Sequence, residues 1–427
     1  MVSFKKIAPI HAFILIYIWL MVMGVMLLSL PGMAIRQLSN METLFTSISA
    51  VTLTGLQICN FAEVFTAQGQ IVVLFLIESG AIVIISFCLY FGWLIGKGSL
   101  FTESESLLGT GVKPIHAYLA LLKKTIIFLV CFELISSGIL YAFWNGDIHY
   151  TISEKLQYAF FHGVSVFTHS GFSNLDGSFS NPHLAHSYLL LLAVTGVIVL
   201  GSVGYATIFD LISIKRLRER MLNPKMDWML QTRIALYSTL VLIVGGSIYW
   251  FISEQHKSLE GQKMVESVFT SIFNVAGARS AGFYSVHVNA FSQPLLWVYL
   301  FLMFVGVSAT SPGGGIKSSV LYASFFGKTT RMDWRAKAAP FFAVIIIMLS
   351  YYLLRHTDPF FSKSALQFEV FSAFTNTGLS YGITPEISDP GKYVLMVDMI
   401  LGRVGLPILL YTLLIKRPDA GNGILMI

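Results

Sequence analysis

The sequence predicts an all-α polytopic membrane protein of four span–pore-helix–span repeats around a pseudo-fourfold central pore, with eight transmembrane helices and four re-entrant pore loops. Three observations predict it. Hydrophobic residues make up 55% of the 427 residues and charged residues 12%, with a mean hydropathy of +0.72; a soluble domain carries about twice that charge. The chain holds eight apolar runs of the roughly 20 residues that a spanning helix needs. Between paired runs lies a short, mildly polar frame that returns in every repeat. Phe45, Phe161 and Phe368 stand ten residues before Gly55, Gly171 and Gly378, and Ser49, Ser165 and Ser372 stand six before. The third copy is looser, with Phe273 nine residues before Gly282. A bulky apolar residue follows each glycine: Leu56, Phe172, Phe283 and Leu379. The glycines lie 116, 111 and 96 residues apart, the signature of four diverged repeats.

In chain order, Lys5-Lys6 and the apolar run to Leu30 form too long a stretch for the core of a cleaved signal peptide, so they read as the first span. Repeat one (1–97) places spans near 10–30 and 70–96 around a short segment at 41–55. Repeat two (98–213) has about 118–143, 154–171 and 187–212. Repeat three (214–328) has about 233–252, 264–282 and 293–325, and repeat four (329–427) about 338–356, 364–378 and 392–415. The short segments are too brief to cross a bilayer. Their pattern suits a half-helix that enters and returns as extended chain.

Basic residues concentrate between repeats and at the termini, in Lys123-Lys124, Lys215 to Arg220, Arg331 to Lys337 and Lys416-Arg417. Positive loops mark the cytoplasmic side, which puts both termini in the cytoplasm and opens the glycine turns outward. The run 215–220 would also suit nucleic acid or lipid headgroups, but its place between spans gives it a topogenic role. Cys59, Cys88 and Cys131 form no CxxC pair, so neither a metal site nor a disulfide framework is expected.

Non-helical backbone at membrane depth survives only when buried in protein or lining a watery cavity, so four returns on one plan point to a central pore. Glycine permits the dihedrals that aim consecutive carbonyls inward, and half-helix C-termini add partial negative charge. Carbonyl rings of this kind hold a dehydrated monovalent cation. The candidate lining residues are Thr52, Leu53, Thr54 and Gly55; Thr168, His169, Ser170 and Gly171; Arg279, Ser280, Ala281 and Gly282; and Thr375, Asn376, Thr377 and Gly378.

The stretches Thr52-Leu-Thr-Gly55-Leu, Arg279-Ser-Ala-Gly282-Phe and Asn376-Thr-Gly378-Leu resemble selectivity filters of the Trk/Ktr/HKT potassium transporter superfamily. Asp398-Met-Ile-Leu-Gly402-Arg403-Val-Gly405 resembles that family's last span, with its Gly-Arg motif, and Gly313-Gly-Gly-Ile-Lys317 its glycine-rich break in the third repeat. The resemblance covers essentially the whole chain. It implies K⁺ uptake across the inner (cytoplasmic) membrane through a channel-like pore, with K⁺ at the filter carbonyls. It also implies a homodimer and a separate cytosolic RCK-type nucleotide-binding subunit. Glycine in all four filters goes with K⁺ selectivity in this family. The chain departs from the pattern at its break, where Ser308-Ala-Thr-Ser-Pro312 displaces the proline by three positions. It departs again at Glu78-Ser-Gly80-Ala and at His169 of the second turn.

The break at 306–317, with Ser308, Pro312, Gly313, Gly314, Gly315 and Lys317, interrupts an apolar span below the turns and reads as a gate rather than a passive proline kink. A buried Arg403 is costly; it is expected to face the cavity and bond the carbonyls of the break. Asp398, five residues earlier, is not its natural same-face partner. Arg279 should anchor its turn from behind. His169 could sense pH, although its side chain is expected to pack away from the axis. Glu78 and Glu133 lie mid-span and could pair with another helix or sit near a span end.

An enzyme is disfavoured: there is no HExxH or Gly-x-Ser-x-Gly, and His162/His169 and His183/His186 are the close histidine pairs. An alternating-access carrier commonly has two repeats with broken midplane helices rather than four loops. A Na⁺-permeable or poorly selective pore remains compatible with the same residues. No cofactor is expected in the chain. Loops such as 97–117 and 213–232 are too short to fold a nucleotide-binding module, so nucleotide control would come from the separate subunit.

Overall fold

A computed structural model describes residues 9–94, 114–144, 151–185, 187–223, 227–326 and 333–405. The predicted end of the last span, Lys416-Arg417, His186 and most of the 97–117 loop lie outside these residues. No strand occurs among the described residues, only isolated bridges between Ala34 and Phe65 and between Val305 and Ile316.

Repeat one consists of α1 (Pro9–Leu28), α2 (Asn40–Val51) and α3 (Ala67–Leu94), and repeat two of α4 (Pro114–Phe143), α5 (Ile152–Phe167), α6 (Tyr188–Val203) and α7 (Tyr205–Ile212). The basic helix α8 (Ile214–Leu222) leads to repeat three: α9 (Leu230–Glu254), α10 (Met264–Ala278), α11 (Gln293–Phe304) and α12 (Ser318–Phe326). Repeat four has α13 (Asp333–Thr357), α14 (Lys363–Phe374) and α15 (Asp389–Ile400), which runs into a π-helical turn at Leu401–Gly405. Among the described residues, α1, α3, α4, α9 and α13 are long and apolar enough to cross a membrane, and the bent pair α6–α7 makes a sixth candidate. Large apolar side chains such as Trp19, Met26, Leu240 and Met348 point outward, as a lipid-facing surface requires.

The four short helices start alike. In α2, Ser39 and Glu42 form a capping box, as do Thr151 and Glu154 in α5. Glu266 of α10 accepts the Lys263 N–H at 3.3 Å, and Ser362 caps α14 through the Ala365 N–H at 3.2 Å. A carboxylate at a helix N-terminus also meets the positive end of the macrodipole. The side-chain hydrogen bond from Arg36 holds the Glu42 carboxyl, outside the spans, down to about 2.

Within each repeat the short helix packs on both flanking helices, and the repeats then close on one another. The second long element of each repeat packs on the short helix of the next: α3 on α5, α6 on α10, α11 on α14, and α15 on α2. Phe45, Phe161, Phe273 and Phe368, one per short helix, are buried at these seams. That cyclic packing brings the C-terminal ends of α2, α5, α10 and α14 to one axis.

One expectation needs correction. The apolar run 187–212 is not one straight helix, because it bends by 97° between α6 and α7. At the bend Gly204 takes φ 79°, and the space a side chain would need is filled by Thr310 and Ser311. The Ala206 N–H, freed at the start of α7, donates to Thr310 Oγ1 at 3.0 Å. Hydropathy does not register such a kink because it averages over a window that stays apolar on both sides of Gly204.

Candidate functional site

Each short helix is followed by the same backbone turn. Two residues before each glycine the chain enters the left-handed region, at Leu53 (φ 54°), His169 (φ 60°), Ser280 (φ 69°) and Asn376 (φ 50°). It does so again at Gly55 (88°), Gly171 (72°), Gly282 (77°) and Gly378 (83°). Non-glycine residues rarely adopt this conformation, and four at one site mark strain that the surroundings hold in place. The third turn shares this backbone although its frame is one residue shorter.

The four glycines form a closed ring. A side chain on Gly55 would overlap the Ser170 carbonyl, one on Gly282 the Thr377 carbonyl and one on Gly378 the Thr54 carbonyl. At Gly171 it would press on the Ala281 carbonyl at 3.4 Å and on the Gly55 Cα at 3.3 Å. Each glycine thus abuts a carbonyl of the residue preceding another repeat's glycine, and the cycle passes through all four repeats. Only glycine permits both the dihedrals and the approach.

The side chains in the turns fold back from the ring. Thr52 Oγ1 donates to the Ile48 carbonyl at 2.7 Å, Thr168 Oγ1 to Val164 at 2.8 Å and Thr375 Oγ1 to Phe371 at 2.7 Å. Thr54 and Thr377 each share a hydrogen bond with the threonine two residues before, and Ser170 with Ser165. Asn376 Nδ2 bridges to Thr54 Oγ1 at 2.8 Å and to the Met399 carbonyl at 2.9 Å, tying repeat four to repeat one. His169 lies behind the ring with Nε2 3.0 Å from the Ile198 carbonyl, and Leu53 and Ala281 are fully buried. The turn side chains thus leave the backbone to define the axis.

Behind the third and fourth turns lies the break between α11 and α12. The Gly315 N–H donates to the Thr375 carbonyl at 2.7 Å, and the Gly314 N–H donates to Ser280 Oγ. The break is also fastened to the bend in repeat two: Ser308 N–H to Ser202 O at 3.0 Å, and Ser311 Oγ to Gly201 O at 2.7 Å. Three cations, Arg279 and Arg403 buried and Lys317 half-buried, donate to its carbonyls. Arg279 Nη2 reaches Gly306 O at 3.3 Å, Lys317 Nζ reaches Ser311 O at 2.9 Å and Gly313 O at 2.7 Å, and Arg403 Nη2 reaches Pro312 O. Among the described residues none of these three makes an ion pair. Asp398 turns instead to Ser350, which donates to it at 2.5 Å. The Gly402-Arg403 pair sits in the π-helical turn, where Gly402 lets the helix close on the Phe374 carbonyl at the end of α14.

Four glycines contribute to the site in a way that their motifs do not announce; Gly80, Gly306 and Gly402 lie in stretches already singled out in the sequence, and Gly201 does not. Gly80, Gly201 and Gly402 lie on the second long helices of repeats one, two and four. Each packs against the last carbonyl of its own short helix: Val51, Phe167 and Phe374. Gly306 stands at the corresponding distance in repeat three and faces Gly314 of the break instead. Their spacing after the turn glycine, 25, 30, 24 and 24 residues, was a readable signal. Asp210 on α7 is buried and accepts from Arg220 at 2.5 Å, Arg216 at 3.2 Å and Thr232 Oγ1 at 2.7 Å; nothing local in the sequence marks it. Glu78 and Glu133 are not at span ends; they face each other from α3 and α4.

The chain matches a family model described as TrkH, cation transport protein, over residues 8–338 and 338–421. It is 28% identical over 432 residues to the Ktr system potassium uptake protein B of Vibrio alginolyticus, covering 95% of this chain and 92% of that one. It is 27% identical over 445 residues to the potassium/sodium uptake protein NtpJ of Enterococcus hirae, covering 97% and 95%. The crystal structure of the potassium transporter TrkH from Vibrio parahaemolyticus superposes with a TM-score of 0.73 at 17% identity, over 97% of this chain and 86% of that one. That likeness is one of fold. A family model matched along nearly the whole chain, on a helical membrane architecture with four converging turns, shows that this protein belongs to the TrkH family of cation transport proteins.

Proposed function

We propose that this protein takes up K⁺ across the cytoplasmic membrane through a channel-like pore, with the carbonyls of the four glycine turns as the filter. The observation that carries the reading is the closed ring in which each turn glycine abuts a carbonyl from another repeat. Residues with positive φ two apart on each turn favour carbonyls aimed to one side, where they can replace the water around a monovalent cation. The C-termini of α2, α5, α10 and α14 add four aligned partial negative charges. The break at 306–317 is the gate: its backbone is stitched to the filter, and its three cations raise a barrier to cation passage. Eight spans, an outward-facing filter, cytoplasmic termini, a homodimer and a nucleotide-binding cytosolic partner complete the proposal. The Ktr relatives support the partner, being named as parts of a system. A pore that also passes Na⁺ is the second reading, favoured by the likeness to a potassium/sodium uptake protein.

The test is ⁸⁶Rb⁺ uptake by cells lacking their own potassium uptake, for the wild type, Gly55→Ser and Gly378→Ser. The wild type should take up rubidium, and either serine should widen the ring and cut Rb⁺/Na⁺ discrimination by about tenfold, a cost of about 1.4 kcal/mol. Should either serine block folding, Gly171→Ala replaces it, because that position has the most room. Unchanged discrimination in variants that reach the membrane would show that the ring is not the filter.

A further inference from the structure

In the sequence the repeats look equivalent, with a serine six residues before the glycine in three of them. The structure divides them into two classes. In repeat one, Ser49 Oγ donates to the Leu56 carbonyl at 2.8 Å and accepts the Gly55 N–H at 3.0 Å. In repeat two, Ser165 Oγ donates to the Phe172 carbonyl at 2.5 Å. The serine there clamps the chain just as it leaves the glycine. In repeat four the corresponding Ser372 is fully buried, and its Oγ has no hydrogen-bond partner. In repeat three the position is Gly277, whose missing side chain lets the Phe283 carbonyl lie directly on the helix. The serine clamp is absent from both.

In those two repeats another residue takes over, the one after the buried phenylalanine. Glu369 Oε1 accepts the Ser380 hydroxyl at 2.6 Å and the Tyr381 N–H at 2.9 Å, while Oε2 accepts the Thr384 hydroxyl at 2.8 Å. Asn274 Oδ1 accepts the Ser285 N–H at 3.0 Å and the Val286 N–H at 3.4 Å, and Nδ2 donates to Ser285 Oγ at 2.7 Å and to the Thr270 carbonyl at 2.8 Å. Both side chains are buried, Glu369 fully, and apart from Thr270 on the helix itself the partners named are two to six residues beyond the glycine. Repeat two carries a lesser form of the same device, His162 Nε2 lying 2.9 Å from Ser173 Oγ. The corresponding residue of repeat one is Thr46.

We propose that Asn274 and Glu369 are the positioning residues that set the third and fourth filter turns, and through them ion discrimination, while Ser372 has no such role. This rests on the reading of the glycine ring as the filter. A buried side chain with several hydrogen bonds to one leg of a turn fixes where that leg runs. Removing it leaves backbone and hydroxyl donors to find new partners, which displaces the strained turn beneath. Glu369→Gln keeps an oxygen for Ser380 and Tyr381 and offers an N–H to Thr384, so it separates position from charge.

The experiment measures Rb⁺/Na⁺ discrimination and Rb⁺ uptake for Glu369→Ala, Glu369→Gln, Asn274→Ala and Ser372→Ala, with Gly378→Ser alongside and membrane abundance as the folding control. Glu369→Ala and Asn274→Ala should each lose discrimination by about tenfold, roughly the effect of losing one or two buried hydrogen bonds. Glu369→Gln should keep it within about twofold, and Ser372→Ala should match the wild type. If Glu369→Ala fails to reach the membrane, Asn274→Ala and Ser372→Ala decide the matter in the same assay. The proposal is overturned if Asn274→Ala or Glu369→Ala reaches the membrane with discrimination intact, if Glu369→Gln is as poor as Glu369→Ala, or if Ser372→Ala is as damaging as either. If Gly378→Ser changes discrimination and the anchor variants do not, this proposal falls while the filter reading stands; if Gly378→Ser also changes nothing, the filter reading falls with it.

Discussion

Arg279, Lys317 and Arg403 lie under the ring with no carboxylate paired to them among the described residues, and each donates to carbonyls of the break instead. A buried cation without a counter-ion is costly, and here its stabilisation comes from the very loop that it holds in place. In the proposed gate, moving the loop would therefore remove the partners of the cations as well as the barrier, which would make its two positions discrete. Arg403 is the most telling of the three, because it reaches the Pro312 carbonyl from the far end of the chain. Arg403→Gln should loosen the break and raise Rb⁺ uptake, by about tenfold if it withdraws about 1.4 kcal/mol of holding energy. Uptake equal to or below that of the wild type, at equal membrane abundance, would count against a gate held by this arginine.

At the scale of the element, the third repeat shows how a deletion is absorbed. α10 reaches its glycine one residue sooner than the other short helices do, and it carries Gly277 where repeats one and two carry the clamping serine. The shortfall is met by drawing the outgoing chain onto Gly277, where the Phe283 carbonyl occupies the space of a side chain. Gly277→Ala should therefore destabilise the protein by about 3 kcal/mol, in the upper range for overpacking, and lower the thermal midpoint in detergent; an unshifted midpoint would show that the third turn can retreat. The paired interruptions behave likewise. The α6–α7 bend and the α11–α12 break are one unit, joined by Ser308 to Ser202, Ser311 to Gly201 and Ala206 to Thr310.

For the whole molecule, the cyclic packing of each repeat's second long helix on another repeat's short helix explains how repeats with little common sequence converge on one backbone. Each short helix is wedged on both sides, so its C-terminus has one place to point. The orientation of this assembly in the membrane has a direct test. On a background without Cys59, Cys88 and Cys131, Glu63→Cys should react with an impermeant maleimide added outside intact cells, and Arg218→Cys only after permeabilisation. The reverse pattern would invert the proposed topology.

Composition and repeat spacing by themselves determined the class of the protein. Apolar length is a local property, and a glycine that must take φ above zero at a crowded axis has no substitute, so the runs and Gly55, Gly171, Gly282 and Gly378 stand out without any structure. The short helices were readable to within a few residues because serine, threonine and glutamate at their starts are local signals as well. What only the tertiary structure decided is which partner each polar group meets. Ser49 and Ser372 occupy the same place in the repeat, yet one clamps its turn and the other has no partner. Arg403 meets the break as its sequence context leads one to expect, but only the structure picks out Pro312 as its partner, and Gly204 bends a run that hydropathy reads as straight. These depend on contacts between residues as many as 110 positions apart, and the free energy of a buried polar group is set by what lies across from it, which no stretch of sequence around it records.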